Sequence, residues 1–232
     1  MKNFVVFSIT TGALLFGTTQ AQAATMTTTI DNFNEGELVV EAQTTSPVAT
    51  ASQESVVGVF GGSRNVTVEI IGSGTSGAAN AKIDFETTSN LYVHNNDDRI
   101  DSSVNVLYDG FGQIDLSSMG ERFVVDVESY GVGETHTAGV SVTDSNGNTD
   151  SQNVAINALG ATTFDFADFS GIDFTSVTGI TLQTESFDED MSLDNFRIEG
   201  EQTLEQTPEP AAVIGLLVSL GFGALFKKKK PA

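Results

Sequence analysis

The segment Val66-Thr67-Val68-Glu69-Ile70 decides the fold class. Every second side chain is apolar and β-branched while its neighbours are polar, which is the period of a strand with one buried face and not the 3.6 of a helix. Working outward, the same period of two recurs at Ile83 with Phe85, at Val104 with Val106 and Tyr108, and at Phe123 with Val125 and Val127. It returns at Val140 with Val142 and at Ile180 with Leu182. Turn clusters punctuate these runs: Gly61-Gly62-Ser63, Asp109-Gly110 and Asn146-Gly147, the last joining two alternating runs as a hairpin does. With abundant Thr, Val and Ser and few helix-forming stretches, the chain reads as an all-β domain: an antiparallel two-sheet β-sandwich of jelly-roll type. Thr25 to Thr29 are expected to form an N-terminal extension leading into a first strand, and no exact internal repeat is found.

The apolar phase breaks once. Met191 and Leu193 share a face, but Phe196 and Ile198 require the opposite one, so a bulge near Asp194-Asn195 is expected in the last strand. The sequence of 232 residues has no cysteine, so it has no disulfide, lipoprotein attachment or thiol chemistry. A body of about 180 residues is large enough for one core without such staples. Residues 24–200 are assigned to the sandwich and 201–207 to a linker.

Both ends carry export signals. Lys2 precedes an uncharged apolar run over residues 4–17, too short to span a bilayer comfortably, and then Ala21-Gln22-Ala23-Ala24 supplies the small-x-small pattern that signal peptidase accepts. Residues 1–23 are therefore expected to be a signal helix, cleaved after Ala23; an uncleaved anchor is the alternative. At the other end an apolar segment over residues 211–226 is followed by Lys227, Lys228, Lys229 and Lys230. Its 16 residues would rise only about 24 Å as a helix, a little short for the hydrocarbon core, so a single transmembrane span here is marginal and relies on snorkelling lysines or local thinning, with the lysines on the cytoplasmic side.

Directly before that segment stands Pro208-Glu209-Pro210. The order of Pro-Glu-Pro, short apolar span and basic cluster resembles the PEP-CTERM sorting signal over residues 208–232. The resemblance implies processing by an exosortase, with the inner membrane as a transient station and the cell surface or extracellular matrix as destination. A permanent tail anchor is the competing reading. No Leu-Pro-x-Thr-Gly sortase motif occurs. More loosely, the body resembles domains that precede this tail, through Ile30-Asp31-Asn32-Phe33, Gly61-Gly62-Ser63-Arg64, residues 169–174 and Leu193-Asp194-Asn195-Phe196. That resemblance implies a jelly roll similar to galactose-binding or carbohydrate-binding domains.

Between the two signals lie 30 of the 31 acidic residues but only five of the 10 basic ones (Arg64, Lys82, Arg99, Arg122 and Arg197), a net charge near −25. Such a body repels nucleic acid, and repels anionic polysaccharide unless divalent cations bridge the two. Solubility alone accounts for most of these charges. The only histidines, His94 and His136, belong to no zinc-binding spacing. With so many acids, pairs such as Asp97 with Asp98, or the run Asp188-Glu189-Asp190, arise freely and do not identify a glycosidase. No catalytic residue and no cofactor is expected.

Calcium is the better ligand hypothesis, because hard oxygen donors abound. Asp144, Asn146, Asn148 and Asp150 place donors at every second position, but the glycine is misplaced for an EF-hand and a plain Asn-Gly hairpin competes. Asp194 with Asp31 or Glu35 is the site that carbohydrate-binding jelly rolls imply, where calcium joins first and last strands. Aromatic platforms for sugar could come from Tyr92, Tyr108 or Tyr130, although Tyr108 follows the inward phase of its strand and there is no tryptophan. The leading expectation is a non-catalytic surface or matrix protein associated with exopolysaccharide. The alternative is a discrete carbohydrate-binding module.

Overall fold

Thirteen strands in two antiparallel sheets face each other across one hydrophobic core in the computed structural model, which describes residues 24–73, 80–86, 91–131 and 135–202. The 7-stranded sheet runs β11 (Gly160–Asp165), β8 (Arg122–Tyr130), β13 (Met191–Gln202), β6 (Leu91–Asn96), β5 (Asn80–Glu86) and β2 (Leu38–Gln43), with β1 (Ala24–Asp31) also paired to β13. The 6-stranded sheet runs β10 (Thr149–Ala155), β9 (His136–Asp144), β12 (Val177–Phe187), β7 (Ile100–Tyr108), β4 (Ser63–Ser73) and β3 (Val48–Glu54). Thr25–Gln202 forms one compact unit. Among the described residues no helix is long and apolar enough to cross a membrane. The expected signal helix, the cleavage positions Ala21 and Ala23, and the tail from Pro208 to Lys230 lie outside the described residues.

The period of two reports burial faithfully where it was strongest. Val104, Val106 and Tyr108 on β7 are fully buried while the residues between them are half-buried, and β8, β9 and β12 turn Phe123, Val125, Val140, Val142, Ile180 and Leu182 inward. The Asn146-Gly147 turn links β9 to β10 in register, with Gly147 at φ 81° and its N–H donating to the Asp144 carbonyl. In β13 the register against β8 shifts between Asp194 and Phe196, with Asn195 at φ 42°, and again between Ser192 and Leu193. This bulge lets Met191, Leu193, Phe196 and Ile198 all reach the core.

Two expectations need correction. The threonines of residues 25–29 are not an extension; they lie inside β1, where four threonines in five residues supply the β-branched side chains a strand favours. Strand β13 also runs through Gln202, two residues into the expected linker.

An ion pair crosses the core. Arg64 at the start of β4 is wholly buried, and its Nη1 donates to Asp31 Oδ2 at 2.8 Å from the opposite sheet. Tyr108 Oη also donates to Asp31 Oδ2 (3.0 Å), and the Phe33 amide donates to Asp31 Oδ1 (2.9 Å). Arg64 Nε donates to Gln53 Oε1, its Nη2 donates to the Glu35 and Gly36 carbonyls, and its guanidinium lies 3.7 Å from the centre of the Phe85 ring. Burial pushes the Asp31 carboxyl above its ordinary value, while Arg64 and the three hydrogen bonds oppose that shift.

A second buried network has one consistent direction. Ser102 donates to Asn96 Oδ1, so its oxygen accepts from His94 Nε2 (2.7 Å); His94 Nδ1 then accepts from Thr184 (3.0 Å), whose oxygen accepts from Tyr92. This neutral imidazole has both nitrogens satisfied, and burial lowers its pKa to about 3, with His136 adding to the shift.

Two predictions follow from these contacts. Arg64→Met alone should reduce unfolding free energy by about 3–5 kcal/mol because it strands a buried carboxylate, whereas Arg64→Met with Asp31→Leu should recover most of the loss. Equal losses in chemical denaturation would show that the pair does not act as a unit. For His94, the unfolded chain binds the extra proton below about pH 6.5 and the folded one only near pH 3, so stability falls with acidification across that window. Between pH 6 and pH 4 its contribution should approach roughly 1.4 kcal/mol per pH unit, and His94→Gln should remove that part of the slope in melting experiments.

Candidate functional site

The chain between β11 and β12 carries an unusual density of phenylalanine, and a set of acidic side chains fixes its path. After Asp165 it makes one 3-10 turn, Phe166–Asp168, and reaches β12 at Val177. Asp150 Oδ2 accepts from the Ser170 amide (2.6 Å), Asp144 Oδ2 accepts from the Asp173 amide (3.2 Å), and Gln152 Nε2 donates to the Asp168 carbonyl (2.7 Å). Asp173 in turn accepts from the amide and hydroxyl of Thr175 and from the Ser176 hydroxyl. Hydrogen bonds from the Asn148 side chain and from backbone amides hold the Asp144 carboxyl below its usual range, and those from Thr175 and Ser176 do the same for Asp173.

The anchored loop buries Phe169 and stacks Phe166 on Phe174, with ring centres 4.1 Å apart and planes within 8° of parallel. Phe123, projecting inward from β8, backs the stack at 4.8 Å from Phe166. Both stacked rings are half-buried, packed against the core with one side left open.

The facing wall is the approach to β8. Gly120 lies so close to β13 that a Cβ there would stand 2.5 Å from the Glu199 carbonyl oxygen, so only glycine allows this contact. The Glu121 amide then donates to the Glu199 carbonyl, and the Phe166 amide donates to the Glu121 carbonyl, both at 2.8 Å, which joins the two walls through backbone. Between them opens a cleft of about 670 Å³, lined by Phe166 and Phe174 on one side and by Ser117, Glu121, Arg122 and Asp165 around the rim. Arg122 Nη2 donates to Glu121 Oε1 at 3.1 Å, while its buried Nε has no partner among the described residues. Aromatic surface beside converging donors and acceptors suits a small polar ligand that also has an apolar face.

The sequence-derived candidates fall elsewhere. Strands β1 and β13 are neighbours, but Asp31 turns inward to Arg64, Asp194 stands opposite Asp126 of β8, and Glu35 gives its carbonyl to Arg64. Asp144 accepts from the amides of Asn146 and Asn148 as well as from the Asn148 side chain, which is the geometry of a turn. Among the described residues no three acidic or histidine side chains are grouped so as to hold a metal ion. Tyr92 and Tyr108 are wholly buried and cannot serve as platforms. The cleft residues Phe166, Glu121, Arg122 and Asp165 were not singled out from sequence; residues 169–174 were, and they contribute Phe174. The available signal was the run Phe164, Phe166, Phe169 and Phe174, whose intervals of two, three and five residues leave strand alternation after Phe166.

No family model matches the chain, and no curated protein matches it. Among solved structures it is similar to part of an agarase, AgWH50C (14% identity, 47% of this chain and 21% of that one, TM-score 0.33). It is also similar to the family 11 carbohydrate-binding module from Clostridium thermocellum (13% identity, 70% of this chain and 97% of that one, TM-score 0.33). A third is TmCBM61 in complex with β-1,4-galactotriose (13% identity, 68% and 90%, TM-score 0.31). The chain spans only 21% and 30% of the lengths of AgWH50C and PfGH50B. Scores this low transfer neither ligand nor site.

Proposed function

We propose that this chain is an exported, non-catalytic surface or matrix protein whose jelly-roll sandwich binds glycan in the Phe166–Phe174 cleft. The observation that carries the reading is the stacked aromatic pair beside Arg122, Glu121 and Asp165 in one open cleft. A sugar ring has an apolar C–H face and a rim of hydroxyls. Aromatic carbon contacts the first, and a guanidinium flanked by carboxylates offers donors and acceptors to the second. Clefts of this composition bind oligosaccharide without needing a nucleophile or a metal.

The sorting tail gives the binding its place. Signal peptidase removes residues 1–23, the apolar segment holds the precursor in the inner membrane, and exosortase acts at Pro208-Glu209-Pro210 before delivery to the cell surface or matrix. The matrix role and the glycan-binding role are then one function, with exopolysaccharide as partner.

Two measurements test this. Titration of the full chain with neutral oligosaccharides should give saturable binding that Phe166→Ala weakens by at least about tenfold with the fold preserved by circular dichroism; binding indifferent to that change would remove the cleft from the reading. Intact mass in cells with and without exosortase should give a product from Ala24 to near Pro208 only when the enzyme is present. A product that keeps Lys227 to Lys230 in both strains would leave a tail-anchored domain instead.

A further inference from the structure

We infer that the cleft selects uncharged sugars and rejects uronates and sulfated sugars, an inference that rests on the glycan-binding reading. Among the residues that line the cleft, Arg122 is the only cation, and Glu121 and Asp165 are both acidic. The sheet beneath repeats the imbalance. Arg122 on β8 is in register with Asp165 on β11 to one side and with Glu199 on β13 to the other, so the three project from the same face. Glu121 already accepts from the Arg122 guanidinium.

The next cation on that face does not alter the balance. Arg197 donates through Nε to Glu199 (2.7 Å) and through Nη1 to Asp126, and those two carboxylates raise its pKa against the effect of partial burial. Beyond it Asp126 stands opposite Asp194. Five carboxylates (Glu121, Asp126, Asp165, Asp194 and Glu199) thus accompany two guanidiniums, and both guanidiniums are already ion-paired. A carboxylate or sulfate entering the cleft would find no free cation and would face Asp165 and Glu121 at close range.

A hydroxyl meets a different situation. The Arg122 side chain stays 31% exposed beside Glu121, and its guanidinium can donate to a neutral oxygen without bringing further charge into the cleft. The carboxylates of Glu121 and Asp165 accept hydrogen bonds from hydroxyls and can accept none from an ionised uronate carboxylate. The same groups that repel an acidic sugar therefore bind a neutral one, and specificity arises from what is excluded as much as from what is held.

The experiment compares neutral hexose oligosaccharides with oligogalacturonates of matched length, titrated into the full chain with chelator present to prevent cation bridging. At low salt, about 50 mM, the neutral series should bind at least roughly tenfold tighter, and the ratio should shrink as salt screens the carboxylates. Glu121→Gln with Asp165→Asn should narrow the ratio by at least about fivefold; should that double variant unfold, Glu121→Gln alone, at a mostly exposed side chain, should narrow it in the same direction. Uronate binding equal to or tighter than neutral binding overturns the selectivity while leaving glycan binding intact. An unchanged ratio in the variants overturns the electrostatic cause, and absence of binding by every oligosaccharide overturns the glycan reading itself.

Discussion

The buried contact between Arg64 and Asp31 is the constraint on which the sandwich depends. An arginine with no exposed surface is costly unless every nitrogen has a partner, and here the partners come from separate parts of the chain: Asp31 at the end of β1, Gln53 on β3, and the carbonyls of Glu35 and Gly36 in the loop after β1. Tyr108 on β7 closes the arrangement from the sheet that also carries Arg64. Because one charge must be met from both sheets at once, the sheets have a single mutual position in which the core is satisfied. Hydrophobic side chains alone tolerate sliding; a guanidinium in apolar surroundings does not.

The acidic side chains divide into two kinds by what they touch. Most are solvated, as expected of a body with this charge. Asp144, Asp150 and Asp173 instead accept hydrogen bonds from backbone amides and hold the phenylalanine loop in place. Asp144 and Asp150, which looked like metal donors along the sequence, thus hold the loop that carries the stacked rings of Phe166 and Phe174. With no cysteine to form disulfides, such fixings are useful, since a loop of this length otherwise has many conformations to lose.

Alternation and turn chemistry are local properties, and they determined the strands at Val66 to Ile70, Val104 to Tyr108 and Phe123 to Val127, the Asn146-Gly147 hairpin, and the bulge beside Asp194-Asn195. Each depends on residues within one or two positions of each other, so the sequence carries the full information. Residues 25–29 were harder, because threonine is equally at home in an exposed extension and in a strand, and only pairing with β13 decides between them. The motif residues Asp31 and Arg64 were visible separately, but their ion pair spans 33 positions and needs the two sheets to face each other.

What the sequence determined by itself is therefore the all-β class, the phase of the core and the acidic balance of the body, each set by neighbouring residues and composition. The tertiary structure alone decided that Phe166, Phe174, Arg122 and Asp165 share one cleft, and that the carboxylates of Asp31 and Asp144 are occupied internally. The physical reason is distance along the chain: a site built from β8, β11 and the loop before β12 exists only once strand order brings those segments together.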